Sequence, residues 1–264
     1  MSAQVNCSIS GGIAAITLTN PDRRNALSVQ LFEEFGAVLT ELETSASVRA
    51  IILTGSGAAF CVGADLAADP EKRSLRGDSI VGDTARLRAA TLVAERFYRM
   101  PQPTVAAVNG ACAGAGLSLA AAADFRIASD TAVFNTAFLT AGLSGDLAGI
   151  WFVTNALGGA RAREMFLAPT KFDATRAADL GFVSTVVPPD GLAKAAGELA
   201  DRLAASAPVA MRAVKQNLIQ AQTASLGEYV TAEVDRMVTC FHTEDAKEAA
   251  SAFLEKRPPV FSGR

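Results

Sequence analysis

Two stretches of the chain are built from small residues that expose backbone rather than side chain. The first is Phe60-Cys61-Val62-Gly63-Ala64-Asp65-Leu66. The second is Asn109-Gly110-Ala111-Cys112-Ala113-Gly114-Ala115-Gly116-Leu117-Ser118. Each follows a short β-rich run, residues 51–54 and 104–108. Small side chains at a strand-to-helix turn let backbone N–H groups come close to a bound group. A helix that starts there adds the positive end of its dipole. Two such N–H groups converging on one oxygen would hold it as negative charge develops, which is the arrangement of an oxyanion hole. Taken singly, either stretch reads equally well as a tight turn. Neither carries GxGxxG with a following acidic residue, so a dinucleotide fingerprint is not indicated.

Reactive side chains are scarce by comparison. The single histidine, His242, lies in a Glu- and Lys-rich helical stretch near the end of the sequence. A Ser-His-Asp site would have to use it, and a histidine-based metal site would have almost no ligands. The four cysteines, Cys7, Cys61, Cys112 and Cys240, are far apart and form no CxxC. That pattern fits free, mostly buried thiols in a reducing cytoplasm. Carboxylates and backbone dipoles are therefore expected to carry function, without a metal.

Composition narrows the partners. Half of the 264 residues are hydrophobic and 19% are charged, with a formal net charge of −3. Mean hydropathy is +0.26 and the isoelectric point is near 5.3. There is ample material for a large core, and a surface short of charge fits partial burial in an oligomer. No basic footprint points to nucleic acid or an anionic membrane. The most apolar stretch, residues 110–123, stops at Asp124, well short of the roughly 20 residues needed to span a bilayer. The first residues show no basic patch followed by an apolar run, so no signal peptide is expected.

Around the two turns, strand and helix signals alternate. Residues 5–9 and 13–18 flank Ser10-Gly11-Gly12 as a hairpin, and Leu31, Phe35, Val38, Leu39 and Leu42 recur at helical spacing over residues 28–44. Residues 69–82 are polar and read as a loop. A helix then runs to Met100 and is closed by Pro101-Gln102-Pro103. Residues 104–108 and 125–128 read as strands on either side of a helix at 116–122, which argues for an α/β core with mainly parallel strands. From Leu192 onward only helices are expected: 192–205, 209–222, 226–241 and 244–254. The organisation expected is a β/α core over 1–191 and a helical region over 192–264.

The ordered set of motifs resembles the enoyl-CoA hydratase/isomerase (crotonase) superfamily nearly end to end. It comprises Asn20-Pro21 with Asn25-Ala26-Leu27, the 60–66 turn, Pro103-Thr104-Val105-Ala106-Ala107-Val108-Asn109-Gly110, Asp124-Phe125-Arg126-Ile127-Ala128, and Ala252-Phe253-Leu254-Glu255-Lys256-Arg257-Pro258-Pro259. The resemblance implies a ββα spiral core with a C-terminal helical trimerisation region, assembled as a homotrimer or a dimer of trimers. It also implies an acyl-CoA thioester substrate, with coenzyme A arriving as part of that substrate and no separate cofactor. By position it places the oxyanion amides on Ala64 and Ala115, the latter a glycine in most members. Coenzyme A contacts fall on Arg24, on Ala64, Asp65 and Leu66, and on Phe253 and Lys256, the last two from a neighbouring subunit.

The sequence departs from the hydratase pattern where it matters most. The two glutamates that handle water in a typical hydratase fall on Ser118 and Phe138. Neither residue is a carboxylate. One acid stands nearby, Asp146 in Leu143-Ser144-Gly145-Asp146-Leu147-Ala148-Gly149, just before an apolar helix expected over 147–157. Some members place a functional aspartate in this segment. Asp146 fits that role or a helix N-cap. Phe138, Leu143, Leu147 and Trp151 are expected to surround it with apolar groups and raise its pKa; Trp151 reads as acyl-pocket lining or as core. An isomerase working with one carboxylate is favoured. A hydratase with atypical water activation and an acyl-CoA-binding pseudoenzyme are the alternatives.

Overall fold

The computed structural model describes residues 4–65, 77 and 79–264. β1 (Gln4–Ser10) and β2 (Ile13–Thr19) pair antiparallel about Gly11 and Gly12, both at positive φ as a two-residue hairpin turn requires. α1 (Val29–Thr44) follows, capped by Ser28, whose side chain accepts from the Leu31 N–H at 3.2 Å. Its buried Leu31, Phe32, Phe35, Leu39 and Leu42 join the main core. The chain then runs through β3 (Ala50–Gly55), β4 (Ala59–Cys61), α2 (Ile80–Arg99), β5 (Thr104–Val108), β6 (Ala111–Ala113), α3 (Ala115–Ala122), β7 (Phe125–Ser129) and β8 (Val133–Asn135). α4 (Gly149–Leu167), β9 (Phe172–Asp173), α5 (Ala174–Asp179), β10 (Thr185–Val187), α6 (Leu192–Ala204), α7 (Pro208–Gln220), α8 (Leu226–Phe241) and α9 (Glu244–Glu255) complete it.

The strands divide between two sheets, in the orders β1-β2-β3-β5-β7-β10 and β4-β6-β8-β9. Three times in succession the chain lays a strand in the larger sheet and the next in the smaller one: β3 then β4, β5 then β6, β7 then β8. From β2 onward the larger sheet is parallel. This is the expected spiral of two strands and a helix per turn. The segment expected to be a loop over 69–82 already contains the first turn of α2, which begins at Ile80, while residues 66–76 and 78 lie outside the described residues.

The expected division at residue 191 is not where packing changes. α6 buries Leu192, Ala196, Ala200 and Ala204, and the first two share a cluster with Val105, Ala107 and Ile127 of the larger sheet. The change comes at α7, which buries only Lys215, and at α8, which buries nothing. Lys215 Nζ donates to Asp124 Oδ2 at 2.7 Å and to the Gln102 carbonyl at 3.1 Å, fastening α7 to the spiral. Among the described residues, no helix is long and apolar enough to cross a membrane.

Asn25 fastens the first turn of the spiral. It is fully buried at φ 58°, its Nδ2 donates to the carbonyls of Ser56 at 2.9 Å and Ala59 at 2.7 Å, and its Oδ1 accepts from the Asn20 N–H at 2.9 Å. Asn25→Ala strands these buried groups and puts alanine in the left-handed region. It should cost about 3 kcal/mol in urea unfolding. A loss under about 1 kcal/mol would mean that water replaces the amide.

Candidate active site

β4 and β6 lie side by side and parallel, with Ala59 opposite Ala111 and Cys61 opposite Cys112. The chain therefore leaves both strands at the same place, and both exits read Cys-x-Gly-Ala: Cys61-Val62-Gly63-Ala64 and Cys112-Ala113-Gly114-Ala115. Gly63 has φ 93°, and Gly114 has φ 52° with ψ −125°, a conformation essentially closed to side-chain-bearing residues. The two turns touch backbone to backbone. A Cβ on Gly63 would stand 3.1 Å from the Ala113 carbonyl oxygen and 3.2 Å from the Ala115 nitrogen.

In each turn, one amide has no backbone acceptor among the described residues. Leu27 bridges the first turn by donating to the Gly63 carbonyl at 2.7 Å and accepting from the Asp65 N–H at 3.2 Å. Both bonds fall on neighbours of Ala64, so the Ala64 N–H points to the other side of that extended segment. Ala115 is the first residue of α3, where the N–H has no acceptor within the helix. Its φ is not positive, because the left-handed step is taken by Gly114. Alanine thus stands without strain where most members of the superfamily have glycine.

The loop before α4 is held in unusual conformations. Gly145, Leu147 and Ala148 have φ of 130°, 48° and 59°, the last two in a region that costs ordinary residues about 1–2 kcal/mol each. The consequence falls on Asp146. α4 starts at Gly149 with Ala148 in the cap position and no side-chain cap bond, so the carboxylate does not serve as the N-cap. Asp146 Oδ1 is buried without a hydrogen-bond partner among the described residues. Burial pushes the Asp146 carboxyl up to about 6. The group lies close to the first turn: the Cys61 thiol is pushed up to about 12, by burial first and also by the charge of Asp146.

The other sequence-predicted residues scatter more widely. Phe138 is buried, stacks on Phe166 at 6.3 Å, and has its ring 4.0 Å from where a Cβ on Gly114 would stand. Leu147 is buried, but Leu143 is 49% exposed. The expectation that Trp151 flanks Asp146 is not met. It packs edge-on against Tyr98 and Phe152 and lines a separate cleft of about 540 Å³ with Asp124, Arg126 and Lys215, which neither Asp146 nor the two turns line. Two residues beyond Gly149, Trp151 is rotated by about 200° around the helix from the glycine that faces α3. Arg24, at φ 51°, borders a cavity of about 250 Å³ with Ser56, Ala58, Ala59 and Ala111. Leu66 lies outside the described residues. Phe253 is 84% exposed, and Lys256 closes α9 in the left-handed region. Sequence reading did not single out Gly149: a Cβ there would stand 2.1 Å from Ser118 Oγ, a contact with no local signature.

A two-sheet spiral whose glycine turns meet and release one amide each belongs to the crotonase superfamily. The enoyl-CoA hydratase/isomerase profile matches residues 8–264, and the chain is a member of that family. It is 32% identical to the 1,2-epoxyphenylacetyl-CoA isomerase of Escherichia coli strain K12 over 96% of each chain. It is 31% identical to the short-chain-enoyl-CoA hydratase of Clostridium acetobutylicum, over 94% of this chain and 93% of that one. The crystal structure of an enoyl-CoA hydratase from Polaromonas sp. JS666 superimposes with a TM-score of 0.91 at 31% identity, covering 98% of this chain and 99% of that one.

Ionising a largely buried carboxylate with one unpartnered oxygen costs stability. The folded pKa of Asp146 is raised from 3.8 to about 6, so its contribution to stability is complete below about pH 4 and is lost as pH rises through about 6. Asp146→Asn should therefore be the more stable protein at about pH 7.5, by up to about 2–3 kcal/mol. The difference should close toward pH 4. Urea unfolding of both proteins at the two pH values checks this, and equal stability at both would mean that the charge is compensated.

Proposed function

We propose that this chain is an isomerase of acyl-CoA thioesters in which Asp146 moves the proton. With the thioester oxygen between the N–H groups of Ala64 and Ala115, the ionised Asp146 takes a proton from the carbon α to the carbonyl. The electron pair moves onto the oxygen, where the two amides and the N-terminus of α3 stabilise the enolate. The same carboxyl then returns the proton to a different carbon, so the double bond shifts and no atom is gained or lost. The observation that carries this reading is the Oδ1 of Asp146, buried without a partner and raised to about 6, beside a site in which Ser118 and Phe138 replace both water-handling glutamates. A base with such a pKa is ionised at neutral pH, yet stronger than an ordinary carboxylate.

Coenzyme A enters as part of the substrate. The cavity beside Arg24 supports a role for its guanidinium toward the phosphates of coenzyme A. Exposed Phe253 and Leu254 on α9, with Lys256 at its end, support contacts to a coenzyme A held by a neighbouring subunit of a trimer or a dimer of trimers. The apolar face of α8, with Val230, Val234 and Val238 each about half exposed, supports the same assembly. A cytoplasmic location accords with the free thiols.

Asp146→Asn should lower kcat for conversion of 3-hexenoyl-CoA to 2-hexenoyl-CoA by about 100- to 10,000-fold. Wild-type kcat should fall as pH drops through about 6, where the base becomes protonated. Unchanged turnover in the variant would remove Asp146 from the mechanism. Water addition to 2-hexenoyl-CoA, detected by mass spectrometry and lost in the variant, would make the protein a hydratase instead.

A further inference from the structure

The two halves of the site meet where α3 packs against α4, and the tightest approach there is one that neither half of the chemistry uses. Ser118 is fully buried one turn into α3, and its N–H and Oγ both reach the Gly114 carbonyl, at 3.1 and 3.4 Å. The residue after Gly114 supplies the amide of Ala115. On the facing element, Gly149 opens α4, and its N–H donates to the Asp146 carbonyl at 2.9 Å. Gly149 lies directly on Ser118: a Cβ on the glycine would stand 2.1 Å from Ser118 Oγ, 2.8 Å from its Cβ and 3.2 Å from its Cα. The peptide unit of the Ala115 amide and the backbone of Asp146 are thus each one hydrogen bond away from a close-packed joint between two helices.

We propose that the Ser118–Gly149 contact is a positioning joint that sets the separation between the Asp146 carboxylate and the Ala115 amide. The inference rests on the reading of Asp146 as the proton carrier. Close-packed interiors pass a displacement on rather than absorbing it. The left-handed backbone at Leu147 and Ala148 leaves Asp146 no independent anchor on α4, since its side chain makes no cap bond. A Cβ forced into the joint pushes α4 from α3, and a cavity in its place lets them drift. Either way the carboxylate leaves the proton it must reach, while the groups that would bind coenzyme A stay where they are.

The test is reciprocal rescue, read as kcat and KM separately on 3-hexenoyl-CoA. Gly149→Ala should lower kcat by about 10- to 100-fold with KM within about twofold. Ser118→Gly should lower kcat in the same way by loosening the joint. The double variant Gly149→Ala/Ser118→Gly puts a methyl where a hydroxymethyl was removed, and it should recover most of the lost kcat. Gly149→Ala/Ser118→Ala, which keeps a carbon 2.8 Å from the new methyl, should recover less. Should Gly149→Ala be insoluble, Ser118→Gly and the double variant still decide the question. Asp146→Asn run in parallel separates the two ideas. If it keeps full turnover, the proton-carrier reading fails. If it is inactive while the joint variants keep wild-type kcat, or lose it without mutual rescue, the joint is overturned and the base stands.

Discussion

The whole arrangement depends on two turns of the spiral meeting with no side chain between them. A second-row atom placed on Gly63 would crowd the Ala115 nitrogen at 3.2 Å, and one on Gly116 would stand 2.1 Å from the Cys61 carbonyl oxygen. Backbone can approach backbone this closely only where Cβ is absent. Under the proposed reading, that approach is what lets amides from segments some fifty positions apart in the sequence serve one oxygen. The rest of the fold supplies the conditions for it. β4 and β6 pair in parallel, with a register shift between Ala59 and Cys61, and deliver both turns to one edge; Leu27 pins the first, and the second amide opens α3, where it has no acceptor within the helix.

Keeping α3 in place is itself a task, because a fully buried eight-residue helix carries both the amide and the joint to α4. Its C-terminal end is held by Arg126, whose guanidinium donates to the carbonyls of Ala120, Ala121 and Ala123 as well as to that of Phe182. Burial lowers that guanidinium to about 10, still charged at neutral pH, so a cation remains at the negative end of the helix. Asp124, between α3 and β7, accepts from the Thr104 N–H at 2.7 Å, from its hydroxyl at 2.9 Å and from Lys215. Stabilising interactions therefore gather behind the site, while the strained loop and the unpartnered carboxylate stand at its front. This is the division expected where function is maintained at the expense of local stability.

The elements legible in the sequence are those long enough to show a period. α1, α2, α8 and α9, the hairpin and β5 all lie within a few residues of their expected ranges. The second sheet was invisible for the same reason, since its strands run three residues or fewer and cannot display alternation. Their existence follows from tertiary pairing alone. The glycine turns are readable because two small-residue clusters follow short strands in the same way, and the resemblance implies which amide serves in each. Trp151 was misplaced because a helix starting at Leu147 would put it one turn beyond Asp146. Two left-handed residues intervene instead, the helix starts at Gly149, and the tryptophan faces the other way. No propensity scale marks leucine and alanine for such a conformation, which the surrounding packing imposes.

The missing glutamates take on a different meaning once their positions are seen in three dimensions. Ser118 is not merely a shorter side chain leaving a space that water could fill. Its hydroxyl lies against Gly149, where an added Cβ would stand 2.1 Å away. The second position is filled by the Phe138 ring, buried and stacked on Phe166. Neither position carries a carboxylate to orient or activate a water. Desolvation is the cause that raises Asp146 to about 6. Under the proposed isomerase reading, the two features act together. Replacing both glutamates removes the carboxylates that addition of water would need, while burial makes Asp146 a base matched to neutral pH.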